Sequence, residues 1–116
     1  MCKLFINANP YLWKSSTKSL RIDGMVTSVR LENFFWGTLE EIAARDDMTL
    51  PQMITRLYHE SIDAEHDLGN FTSFLRVCAG RYLSLQIGGL MPSAKSISIA
   101  SLDADRILME EDKKLH

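Results

Sequence analysis

The pattern of apolar and polar residues in the middle of the chain changes its period within a few positions. Residues 26–31 alternate, which predicts a strand with one buried face. That face would carry Thr27, Val29 and Leu31, and the other face would carry Val26, Ser28 and Arg30. From Asn33 to Arg45 the apolar residues recur at helical spacing. Thr49 is a good N-cap and Pro51 suits the first turn of a second helix, which we expect to reach about Ala64.

A second strand is expected immediately before the first. Residues 19–22 favour a strand, and Asp23-Gly24 is a dipeptide typical of a two-residue type I′ turn. If this hairpin forms, the pairs across it are Ile22 with Met25, Arg21 with Val26, Ser19 with Ser28, and Thr17 with Arg30. The alternative is that residues 19–31 form one long strand with a bulge at the glycine.

The first helix has apolar residues on a second face, at Phe34 and Trp36. A helix that is apolar on two faces is covered from two sides, so we expect Trp36 to be a core residue. Gly37 costs the helix about 1 kcal/mol relative to alanine, which predicts that another backbone approaches closely at this point.

Further elements flank this core. An apolar stripe predicts a third helix that begins after Asn70 and ends near residue 87. Its members are Phe71, Phe74, Leu75, Cys78, Tyr82 and Leu85. Two glycines and a proline then mark a boundary. We therefore divide the chain into an N-terminal arm (1–18), a domain (19–87) and a weakly ordered tail (88–116). We expect the arm to pack over the core, although its aromatic and basic residues could instead contact nucleic acid.

The stretch TSVRLENFFWGTLEEIAARDDMTLPQMI resembles the ribbon-helix-helix family of bacterial DNA-binding proteins, of the MetJ, Arc and CopG type. With the opening MCKLF and the later NFTSFLRVCAGRYLSLQ included, the chain is similar to a bacterial subgroup described as predicted ribbon-helix-helix DNA-binding proteins. The core pattern covers about a quarter of the chain, and the subgroup pattern covers nearly three quarters.

The resemblance implies a mainly α-helical fold with a short β-ribbon. The expected architecture is a ribbon-helix-helix core, extended by an N-terminal arm or hairpin and a third helix, in an intertwined homodimer. In this family two chains pair their strands into a ribbon that enters the major groove of double-stranded DNA. The residues that would face the groove are Val26, Ser28 and Arg30. Thr49 and the N–H groups after it would lie against a phosphate.

The hairpin departs from the minimal family pattern, in which the ribbon strand has no partner within its own chain. An added strand on each side would give a four-stranded sheet about 14 Å across. The major groove is about 12 Å wide. If the hairpin forms, we therefore expect that the extra segment folds aside or that the ribbon face has lost its DNA role.

Charge is unevenly distributed along the 116 residues. The net charge is −2, but residues 1–31 carry a net charge of +4 and residues 32–116 a net charge of −6. A dimer would concentrate positive potential at the ribbon, where phosphates approach. No run reaches the roughly 18 apolar residues of a membrane span, and the opening lacks the features of a signal peptide. We therefore expect a cytoplasmic protein without a membrane partner.

Candidate chemistry is sparse. The chain has no GxSxG, HExxH or phosphate-loop motif, so we expect no enzymatic activity. Cys2 and Cys78 lie far apart, without the spacing of Cys/His metal ligands. We expect reduced thiols, no metal and no cofactor.

The sequence favours a homodimeric, sequence-specific DNA-binding protein that regulates transcription. Arg30 is the one strong base reader in each strand. Specificity would therefore need a second dimer on adjacent DNA, or added contacts from Arg21 and Lys18. The alternative hypothesis is a dimeric adaptor that keeps the same core and binds protein instead of DNA. The tail is a candidate site for such a protein partner.

Overall fold

The computed structural model describes residues 2–115, which contain two strands and five α-helices. The strands are β1 (Ser15–Ile22) and β2 (Met25–Glu32). The helices are α1 (Cys2–Ile6), α2 (Asn33–Arg45), α3 (Leu50–Asp63), α4 (Phe71–Ile87) and α5 (Ala104–Leu115). Three short 3-10 turns lie at Pro10–Trp13, Leu68–Asn70 and Ile99–Ser101. This order confirms the predicted ribbon-helix-helix core with added helices.

The strands β1 and β2 form an antiparallel hairpin. Ile22 pairs with Met25 and Thr17 pairs with Arg30, in the predicted register. Asp23 and Gly24 have φ angles of 53° and 79°, which is the positive-φ pair that a type I′ turn requires. The alternative of one long strand with a glycine bulge is therefore wrong.

Strand β1 begins at Ser15, four residues earlier than predicted. The predicted arm includes residues 15–18, but they extend the ladder opposite residues 29–32 of β2. Contacts with α2 hold this end of the strand: the indole N–H of Trp36 donates to the carbonyl of Ser16 at 2.9 Å. These contacts join residues about 20 apart, so no local pattern predicts them.

One apolar core lies beneath the hairpin. Leu20 of β1 and Val29 and Leu31 of β2 point into it. Val29 and Leu31 are buried as predicted, but Thr27, predicted for the same buried face, is exposed. Helices α2, α3 and α4 supply its other buried residues, which are Trp36, Leu39, Ala43, Met53, Ile54, Leu75 and Ala79. Trp36 is 3% exposed, which confirms its predicted core position. The third predicted helix therefore completes the core from within the same chain.

Gly37 lies on the exposed side of α2. Among the described residues, nothing lies within 4 Å of the position that a Cβ atom would occupy there. Within the single chain, the expected close approach of another backbone is therefore wrong, and the described residues leave room for a side chain at this helix position.

The N-terminal arm does not pack over the core as expected. In α1 the side chains of Leu4, Phe5 and Ile6 are 77%, 65% and 72% exposed. Only the following turn is anchored to α2, through the side-chain amide of Asn33, which donates to the carbonyl of Tyr11 at 3.0 Å. The described part of the chain therefore leaves the apolar side chains of the short first helix uncovered.

The segment after α4 has more regular structure than the predicted tail. Arg45 of α2 is buried, and its guanidinium donates to the carbonyls of Ile97 and Pro92, each at 3.0 Å. The same group lies beside Tyr82, whose hydroxyl donates to Glu41 at 2.6 Å. Because Arg45 precedes these carbonyls by about 50 residues, no local pattern predicts the contact.

Two carboxylates hold the same segment. Burial raises the pKa of Asp46, but hydrogen bonds from Ser98 and from the backbone of Ala100 and Ile99 outweigh it and leave the pKa below its usual value. At α5, Glu111 accepts from Arg81 at 2.6 Å, and this hydrogen bond lowers the pKa of the Glu111 carboxyl. A role of this segment in binding a protein partner stays a prediction. None of the described helices combines the length and apolarity needed to cross a membrane.

Candidate nucleic-acid interface

The hairpin presents an exposed face on the side opposite the core. Alternation along the two strands places on it Ser15, Thr17, Ser19 and Arg21 of β1, with Val26, Ser28 and Arg30 of β2. We call these seven residues the outer face. Every one of them is exposed, whereas Glu32, which pairs with Ser15 and follows the same alternation, is half-buried at the end of β2. The structure thus brings together four of the predicted DNA-contacting residues, which are Arg21, Val26, Ser28 and Arg30.

The positive charge of the outer face is not neutralised by the protein. Neither Arg21 nor Arg30 makes an ion pair or side-chain hydrogen bond with any residue between 2 and 115. The two acidic residues of the hairpin both have basic partners. Glu32 lies 2.8 Å from Arg76, whose hydrogen bond lowers the pKa of the Glu32 carboxyl. Asp23 lies 2.9 Å from His59. The face can therefore attract an anion.

Lys18 does not reach the outer face. It pairs with Val29, whose side chain is buried on the other side of the sheet. Its ammonium lies 5.5 Å from the centre of the Trp36 ring, within the range of a cation–π contact. The structure therefore separates Lys18 from the other predicted contacts, because residues 18 and 21 lie on opposite faces of one strand.

Thr49 caps α3, but the cap leaves few backbone N–H groups free to bind a phosphate. Its hydroxyl oxygen accepts the N–H of Gln52 at 3.3 Å, and the Gln52 side chain accepts the N–H of Thr49 at 2.9 Å. Pro51 has no N–H, and the N–H of Met53 donates to the carbonyl of Thr49. Within the described chain, only the N–H of Leu50 in this first turn lacks a hydrogen-bond partner. A single backbone donor binds an anion weakly.

An open cleft of about 700 Å³ lies where the hairpin tip meets α3. Its lining consists of Arg21, Met48, Pro51, Gln52, Thr55, Arg56, His59 and Glu60. Arg56 is exposed and, like Arg21, has no ion-pair partner in the structure from residue 2 to 115. Sequence reasoning missed Arg56, because which face of α3 borders the hairpin depends on how the helix packs.

The backbone of β2 has an open edge. In a two-residue hairpin the residues that flank the turn are hydrogen-bonded to each other, and bonded pairs then alternate with non-bonded ones. Thr27, Val29 and Leu31 therefore bond to β1. The N–H and C=O groups of Val26, Ser28 and Arg30 point away from it, and no other described residue accepts from or donates to them. This edge can pair with another strand.

Comparison with known proteins places the chain among proteins of similar fold. A family model described as a ribbon-helix-helix domain matches residues 15–83, which is more than half of the chain. The solved structure of an uncharacterized protein from Bordetella pertussis Tohama I is 50% identical in sequence. It aligns with a TM-score of 0.89 over 93% of this chain and 86% of that chain. Comparison with the curated proteins gave no match.

Proposed function

The chain belongs to the ribbon-helix-helix family, and on this premise we propose that it is a homodimeric, sequence-specific DNA-binding regulator of transcription. The outer face of the hairpin would meet the major groove. The proposal includes no enzymatic activity, because the chemistry of the face consists of hydroxyl groups and arginines that bind without reacting.

Dimerisation would occur through the open edge of β2. Strands of this family pair antiparallel across a twofold axis, and β2 directly precedes the first helix of the core, as the ribbon strand does in the family. Pairing along Val26, Ser28 and Arg30 satisfies the backbone groups that the single chain leaves open. The strand order in the dimer would be β1-β2-β2-β1, with the two β2 strands in the centre.

The central strands would read the bases. Adjacent strands lie about 5 Å apart, so the β2 pair is narrow enough for a groove of about 12 Å. The outer face of each β2 offers Arg30, which suits a bidentate contact with guanine, and Ser28, which can contact several base edges. The observation that carries the proposal is that Arg21 and Arg30 are exposed, lack ion-pair partners within residues 2–115 and share this face.

Replacement of Arg30 by alanine tests base reading. A duplex library selected with the wild-type protein should bind the Arg30→Ala variant less tightly by about 1–3 kcal/mol, with relaxed preference at one position of each half-site. Arg106→Ala is a matched control, because Arg106 is an exposed arginine of α5, outside the hairpin. Equal binding of the selected library by wild type and Arg30→Ala at matched salt would show that this residue does not read bases.

One observation favours a second candidate, the dimeric adaptor that binds protein. The hairpin forms within a single sheet, so the extra strand does not fold aside. A rigid four-stranded sheet about 14 Å across does not enter the major groove as a whole. The two candidates differ at low salt. A DNA binder shows duplex affinity that falls steeply as salt rises, whereas the adaptor shows no duplex binding even at low salt.

A further inference from the structure

Building on the proposed function, we propose that β1, the strand that the minimal fold lacks, contacts the DNA backbone instead of the bases. In this arrangement the cleft beside its tip, which Arg21 and Arg56 line, receives a phosphate. The extra strand then does not obstruct the groove. It extends the dimer outward onto the two phosphate chains that border the groove.

The order of strands places β1 in the right position. In the proposed dimer the two β1 strands are the outermost of four, about 14 Å apart. The major groove is about 12 Å wide, so the outer strands lie over its rims while the central pair lies over its floor. A sheet too wide to enter the groove is therefore wide enough to reach both backbones.

The side chains of β1 suit phosphate contacts. Its outer face carries three hydroxyl residues, Ser15, Thr17 and Ser19, and then Arg21. None of the three hydroxyl groups makes a hydrogen bond with another described residue, although Ser16 on the opposite face does. Hydroxyl and guanidinium donors supply a large share of the phosphate contacts in protein–DNA complexes. No apolar or acidic side chain interrupts this row on β1.

The cleft adds a second positive element to each rim. Arg21 enters it from β1 and Arg56 from α3, and neither has an ion-pair partner in the described chain. Glu60 is the one carboxylate of the lining, and His59 is held at the carboxylate of Asp23. The first turn of α3 offers one free backbone N–H, so the arginine side chains would supply the binding that the helix end lacks.

The salt dependence of DNA binding measures how many phosphates Arg21 and Arg56 contact. The full chain is titrated onto a mixed-sequence duplex of about two helical turns, between about 50 and about 200 mM salt. Each phosphate contact contributes about 0.9 to the slope of log affinity against log salt, and each substitution removes one contact per protomer. In each of the single variants Arg21→Ala and Arg56→Ala, the magnitude of this slope should therefore decrease by about 1.8 for the dimer. The loss of affinity between the two salt concentrations then becomes about twelvefold smaller than in the wild type.

Two sets of variants control for folding and for general charge. Arg21→Lys and Arg56→Lys keep the charge, so the slope should remain close to that of the wild type. Arg106→Ala removes an exposed arginine from α5 and should leave the slope unchanged. Thermal melts should be unaltered in all variants, because these side chains make no hydrogen bond or ion pair within the described chain.

The outcomes separate this inference from the proposed function. If the wild type binds no duplex at low salt, both fail. If it binds and Arg30→Ala relaxes base preference while Arg21→Ala and Arg56→Ala keep the full slope, only the inference is overturned. The same holds if these two variants alter base preference instead of slope, or if they keep the slope and lose binding to an acidic polypeptide such as polyglutamate.

Discussion

A single proline substitution can distinguish the open edge of β2 from the rest of the hairpin. Ser28 pairs with Ser19 at a position where the backbone groups point away from the partner strand. Ser28→Pro therefore removes an N–H from the open edge without removing a hydrogen bond of the hairpin. Proline is tolerated on edge strands for the same reason. We expect this variant to fold as a monomer that cannot dimerise well.

The size of the effect follows from the proposed pairing. With a twofold axis at Ser28, the two β2 strands form one Ser28–Ser28 pair and two Val26–Arg30 pairs, or about six backbone hydrogen bonds. The substitution removes two of these bonds, and each leaves a carbonyl unpaired at a cost of about 1–3 kcal/mol. The total of about 2–6 kcal/mol raises the dimer dissociation constant between about 30-fold and about 10⁴-fold.

Sedimentation equilibrium measures the dissociation constant, and circular dichroism with a thermal melt reports whether the hairpin and helices remain folded. Ser19→Pro is the matched control, since it makes the same change on the open edge of β1. This control should dimerise like the wild type. Unchanged dimerisation of Ser28→Pro, or dissociation of Ser19→Pro instead, would refute pairing through β2.

Three further predictions concern stability. Gly37→Ala should raise the free energy of unfolding by roughly 0.5–1 kcal/mol in urea titration, because the site is helical and open; a loss of stability would indicate a neighbour that the single chain lacks. Arg45→Ala should leave the carbonyls of Pro92 and Ile97 unpaired and make residues 92–99 sensitive to limited proteolysis before global unfolding; equal resistance to wild type would contradict this. Asp46 and Glu111 have lowered pKa values in the folded state, so their ionised carboxylates stabilise the fold fully above about pH 4.5. This stabilisation is lost as the pH falls through the pKa values of the folded state. Hydrogen exchange should show residues 88–115 opening first in acid, and Asp46→Asn should show a weaker pH dependence.

Local interactions explain the features that could be predicted from the residues alone. The alternation of residues 26–31 predicted the burial of Val29 and Leu31 but not the exposure of Thr27 on the same face, and Asp23-Gly24 predicted the turn and hence the register of the hairpin. Thr49 predicted the start of α3. Lys18 could also have been excluded from the outer face, because alternation alone places it opposite Arg21. Each of these features depends on residues that are close in sequence or directly paired across one turn.

Contacts between distant parts of the chain account for the features that could not be predicted from the residues alone. The early start of β1 depends on Trp36, the place of Arg56 beside the hairpin depends on the packing of α3, and the order of residues 88–115 depends on Arg45 and Asp46. The partners in these contacts do not share a strand face or a helical turn, so no periodic pattern marks them. Their geometry is set by how the helices fill the core beneath the hairpin, which is a property of the folded chain as a whole.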